Sequence, residues 1–131
     1  MTDDELLQRF EAGSLPPGGF HHADHVKVVW LYLQRYPVAE VLTRLAAGLQ
    51  ALARATGKPH LYHETITWAY VLLIHERMAR TGPDQSWAEF SQTHPDLLNW
   101  TDSLVRGYYR EETLRSDLAR RVFVFPDKVQ S

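Results

Sequence analysis

The chain has 131 residues, no cysteine, seven histidines and a formal charge of −2 with those histidines neutral. That length suits one domain with a self-sufficient core, and the missing cysteine removes disulfides, thiolate zinc sites, iron–sulfur clusters and a cysteine nucleophile, so any metal must be held by nitrogen and oxygen. Basic and acidic residues are mixed throughout, which gives no electrostatic reason to expect a nucleic acid or an anionic membrane as partner.

The opening MTDDELLQRF is acidic where a targeting peptide is basic, and no apolar run is long enough to span a bilayer. The expectation is a soluble, cytoplasmic protein. Thr2 followed by Asp3, Asp4 and Glu5 predicts a capped helix start, Leu6, Leu7 and Phe10 its buried stripe, and Gly13 its stop. A turn over 15–19 leads into a second helix from about His22 to Tyr36, apolar almost all round through Val26, Val28, Val29, Trp30, Leu31 and Leu33. Pro37 suits the first turn of a third helix, in which Val38, Val41, Leu42, Leu45, Leu49 and Leu52 recur at helical spacing until Gly57.

A fourth helix starts near Tyr62 or His63, passes through Ile66 and the run from Trp68 to Ile74, and stops at Gly82-Pro83. Ser86 and Glu89 make a capping-box pattern for a short helix ending before Pro95. Leu97, Leu98, Trp100, Leu104, Val105 and Tyr108 suggest one or two further helical pieces, and Ser116-Asp117 a last turn or two. Val122-Phe123-Val124-Phe125 alternates like a strand but has no evident partner, which predicts an extended tail packed on helices. The fold expected is an all-α, single-domain bundle of about five to six helices with two central apolar helices, the second and the fourth.

Short connections make consecutive helices antiparallel, so helices two and four run roughly parallel with their N-termini at one end. This brings His21, His22 and His25 towards His60, His63 and Glu64. Histidines three or four apart share a helix face, and both starts lack the usual Ser, Thr, Asp or Asn cap, although Asp24 could serve at the first. Two helix N-termini favour neutral imidazole, the form that binds metal, and also favour an anion. Arg106, Arg110, Arg120 and Arg121 are candidates to meet an anionic small-molecule substrate.

Familiar catalytic signatures are missing. His63-Glu64 lacks the second histidine of a zincin, and there is no P-loop, dinucleotide-binding glycine pattern or nucleophile elbow. His75 lies roughly 18 Å along the helix from His63, too far to share a centre, and His94 before Pro95 reads as a loop residue. Trp30 and Trp68 read as core.

Phe20-His21-His22-Ala23-Asp24-His25 with Trp30 downstream, Tyr62-His63-Glu64-Thr65, and Ala119-Arg120-Arg121-Val122-Phe123 before Pro126-Asp127 together resemble a family of small bacterial all-α proteins without an assigned function. The resemblance spans most of the chain and brings no established activity. It implies His22, His25 and His63 in preference to His21 and His60.

The reading is a mononuclear metal site of His22, His25 and His63, with Glu64 as catalytic assistant. Three neutral imidazoles suit copper, iron, zinc or manganese, and open coordination positions permit redox chemistry or metal-assisted hydrolysis of a small molecule, an oxidoreductase being favoured. Two alternatives stand beside it: a non-catalytic helical binding module, and a metal-free acid–base enzyme using His25, His63 and Glu64.

Overall fold

A computed structural model describes residues 1–14 and 19–128. The turn expected over 15–19 falls mostly outside that range, as do the last three residues. The chain folds as an all-α bundle of seven helices with no strand among the described residues. In order these are α1 (Asp3–Glu11), α2 (His22–Arg35), α3 (Val38–Ala55), α4 (Glu64–Thr81), α5 (Trp87–Thr93), α6 (Glu111–Arg115) and α7 (Asp117–Arg121), with short 3-10 turns at Pro59–Leu61, Pro95–Leu98 and Leu104–Gly107. No helix among the described residues is long and apolar enough to cross a membrane.

Local signals set most boundaries. The Thr2 hydroxyl accepts from the Glu5 N–H at 3.1 Å, and the Ser86 and Glu89 side chains each accept the other's backbone N–H, at 3.1 and 3.0 Å. Gly13, Gly57 and Gly82 follow α1, α3 and α4 with φ of 71°, 73° and 92°, a left-handed turn that a side chain would strain.

α2 and α4 form the centre. α4 packs against α2, α3 and α7. Val26, Val28, Val29, Trp30, Leu31 and Tyr32 of α2 are buried, as are Tyr70, Val71 and Ile74 of α4. Each such aliphatic side chain contributes about 1.5–3 kcal/mol through removal from water. α1 closes one side by laying Phe10 against mid-helix Gly48 of α3. A Cβ at Gly48 would stand 2.3 Å from Phe10 Cε2, so ring packing here overrides the usual cost of glycine inside a helix.

The tail has no strand partner because side chains take that role. Buried Thr65 donates its hydroxyl to the Val122 carbonyl at 2.9 Å and accepts the Val124 N–H at 3.1 Å. The Tyr109 hydroxyl donates to the Val124 carbonyl at 2.7 Å, and Phe123 stacks on Trp68 with ring centroids 5.3 Å apart. The alternating apolar pattern therefore serves one side of an extended segment pinned across α4.

Candidate active site

The starts of α2 and α4 open into one cavity of about 660 Å³. Four histidines line it: His22 and His25 from α2, His60 from the 3-10 turn before α4, and His63 at the α4 cap. The second half of α3 supplies apolar wall through Leu45, Leu49 and Leu52, and Val29, Ile66 and Ile74 complete it. Antiparallel α2–α3 and α3–α4 pairs place those three surfaces at the same end of the bundle, as the short connections require.

His63 is committed twice. Its Nδ1 accepts the Ile66 N–H at 3.1 Å, which makes the side chain the N-cap of α4, and its Nε2 faces the Leu114 carbonyl at 2.7 Å. An N–H donor on one side and a carbonyl on the other fix the neutral tautomer with hydrogen on Nε2. The departure from ordinary capping residues at this position is thus a histidine acting as the cap. Burial lowers its pKa, with the nearby Arg120 charge acting in the same direction and the Leu114 carbonyl against it.

His22 is committed once. Its Nε2 donates to the Leu97 carbonyl at 2.8 Å, and its ring meets Tyr70 at 4.9 Å and Trp100 at 5.0 Å between centroids. The Tyr70 hydroxyl is held by buried Ser103 at 2.6 Å. Burial lowers the His22 pKa against the pull of the Leu97 carbonyl.

The His25 ring makes no hydrogen bond among the described residues. Its ring stacks on Phe20 with centroids 4.4 Å apart and lies 6.5 Å from the His22 ring. Burial, reinforced by His22 and opposed by Asp24, lowers its pKa to about 4. The ring is therefore neutral at pH 7, with one donor and one acceptor unused.

The remaining expected residues divide. His21 is exposed and caps α2 through its backbone, whose N–H donates to the Asp24 carboxylate at 2.9 Å; it does not line the cavity, whereas His60 does. Glu64 accepts the Tyr62 hydroxyl and lines a second, smaller cleft of about 370 Å³ with Arg54, Arg120 and Arg121. Tyr62 and Arg120 line both clefts and mark the boundary between them. Among the described residues no three His, Cys, Asp or Glu side chains are grouped so as to hold a metal ion. The cavity unites His22, His25 and His63, then, but for His63 to become a ligand it would have to release its cap bond or its carbonyl.

Of the four candidate arginines, Arg120 alone lines the cavity. Arg106 donates to the Thr101 carbonyl, Arg110 lies near Asp127, and Arg121 pairs with Asp117 at 2.7 Å. His75 is exposed. His94 lies between helices as expected, yet is buried, against Phe90 at 4.7 Å and Arg77 at 3.1 Å. Sequence reasoning did not single out Lys58, Thr67 or Tyr70 as site residues. Tyr70, seven residues after His63 and so on the same face of α4, carried a usable signal; Lys58, in a turn, carried none.

No family model matches the chain, and no curated protein or solved structure matches it.

Proposed function

We propose that this chain binds a small, mainly apolar molecule in the cavity between the starts of α2 and α4, with His25 hydrogen-bonding a polar group of that molecule. The observation that supports this most is the cavity: its volume of about 660 Å³ lies in the range of roughly 300–1,000 Å³ that accommodates drug-sized ligands, and it joins apolar walls to a few convergent polar groups. His25 brings a neutral ring with no partner to give up. A pKa of about 4 makes that ring a weak proton acceptor at pH 7, so it suits hydrogen bonding or polarisation of a ligand oxygen better than general-base catalysis.

N-phenyl-1-naphthylamine, a neutral dye whose emission rises and shifts blue in apolar surroundings, tests this. The expected result is saturable binding at one equivalent, weakened at least tenfold in Leu49→Trp, whose indole would project into the space the dye needs. No saturable binding, or equal binding by Leu49→Trp, contradicts the proposal.

A second reading is the metal-dependent enzyme. One observation favours it: the His22 Nδ1 and both His25 nitrogens have no hydrogen bond among the described residues, and both rings line one cavity. Two imidazoles would leave positions open for substrate on copper, iron, zinc or manganese, with redox or hydrolytic chemistry to follow. Stoichiometric uptake of Cu²⁺ or Zn²⁺ by untagged protein, lost in His25→Ala, is its expected signature; no uptake contradicts it.

A further inference from the structure

Resting on the pocket reading, we infer that the occupant is an amphipathic monoanion, its apolar body in the cavity and its carboxylate or comparable oxyanion against Arg120 and Lys58. Charge placement carries this. Six arginines (Arg35, Arg44, Arg77, Arg80, Arg115 and Arg121) sit in ion pairs with carboxylates. Arg120 and Lys58 have neither a side-chain hydrogen bond nor an ion pair among the described residues, and both line the cavity.

Among the described residues no aspartate or glutamate lines that cavity. Glu64, next to His63 in the chain, lines the smaller cleft instead and accepts the Tyr62 hydroxyl. Arg54, also without an ion pair among the described residues, borders that same cleft. Positive charge therefore accumulates at the boundary that Arg120 and Tyr62 form between the two clefts.

A partly buried guanidinium with no counter-ion is costly to leave unpaired, and an oxyanion satisfies its planar fork with two parallel hydrogen bonds. The apolar lining of Val29, Leu45, Leu49, Leu52, Ile66 and Ile74 offers nothing to a second charge. One anionic head on an apolar body satisfies both surfaces, whereas a neutral molecule leaves Arg120 unpaired and a second anionic group set along the body would face only the apolar wall.

The test uses two dyes with one frame, N-phenyl-1-naphthylamine and its sulfonate, 8-anilinonaphthalene-1-sulfonate. The expected result is that the sulfonate binds the intact chain at least tenfold more tightly than the neutral dye. Arg120→Gln should weaken the sulfonate about tenfold and leave the neutral dye unchanged, and Lys58→Gln, in an exposed turn, should give a smaller loss of the same kind. Leu49→Trp should weaken both. If the neutral dye binds in the cavity but the sulfonate binds no more tightly, or Arg120→Gln leaves their ratio unchanged in a folded protein, the charge inference fails and the pocket reading survives. Sulfonate binding that persists unchanged in Leu49→Trp is surface attachment and overturns the inference. Failure of both dyes to bind the cavity overturns the inference and the pocket reading together.

Discussion

His63 and His25 stand at corresponding places, each at a helix start facing the same cavity, and differ in what the fold has already asked of them. His63 spends one nitrogen on the Ile66 N–H and the other on the Leu114 carbonyl, tying α4 to α6. His25 spends neither and is held by stacking on Phe20. A buried histidine with both nitrogens engaged is a structural part, because any new partner must displace an old one. A histidine held only by ring contacts is free to serve a ligand.

The largest expected effect comes from breaking the structural member. His63→Ala removes a helix cap, worth about 1 kcal/mol, and leaves a half-buried carbonyl without its donor, worth about 1–3 kcal/mol. Together these predict about 3 kcal/mol of lost stability in urea denaturation. His63→Asn, whose side-chain oxygen can still accept the Ile66 N–H, should recover about 1 kcal/mol. A loss below 0.5 kcal/mol in His63→Ala would show the two bonds to be unimportant.

Next comes pH. His25 titrates near 6.5 when unfolded and at about 4 when folded, so the unfolded state binds the proton first. Stability is complete above pH 6.5 and falls as pH drops towards 4, by about 2 kcal/mol at pH 5. His22 and His63 shift in the same direction. The low-shifted carboxylates Asp96 and Asp127 lose their contribution only below about pH 4, which separates the two windows. Chemical denaturation at pH 7.5 and 5.0 checks this, and His25→Phe should flatten the slope between them.

A smaller effect is expected for His25 itself. His25→Phe at pH 7.5 removes no hydrogen bond and keeps a ring against Phe20, so stability should change by under about 1 kcal/mol, while N-phenyl-1-naphthylamine binding weakens at least fivefold. The smallest stability effect belongs to Leu49→Trp, which projects into empty space and should stay within about 1 kcal/mol of the parent while binding the dye more weakly. Circular dichroism melts with dye titration on the same samples separate these outcomes.

Much of the fold was legible because it follows local rules. Thr2, the Ser86/Glu89 pair and the glycines after α1, α3 and α4 marked ends that the structure keeps, and the apolar runs of α2 and α4 identified the central helices. The meeting of His22, His25 and His63 was legible too, since short connections leave α2 and α4 parallel. What each ring does there was not, because it depends on the Leu97 and Leu114 carbonyls, 75 and 51 residues distant in sequence. Glu64 shows the same limit: adjacency to His63 in sequence suggested a shared site, but the first turn of α4 directs it to the smaller cleft and to Tyr62. Arg120 was one of four candidates until α7 packed on α4 and set it beside the cavity.

Long-range proton–nitrogen spectra of the histidine rings, recorded at pH 7 with and without N-phenyl-1-naphthylamine, test the division between His25 and His63 most directly. The prediction is a His63 ring fixed as the Nε2–H tautomer and unmoved by the dye, with the His25 ring nitrogens shifting on binding. A His63 ring that moves with the dye while His25 stays fixed would contradict it.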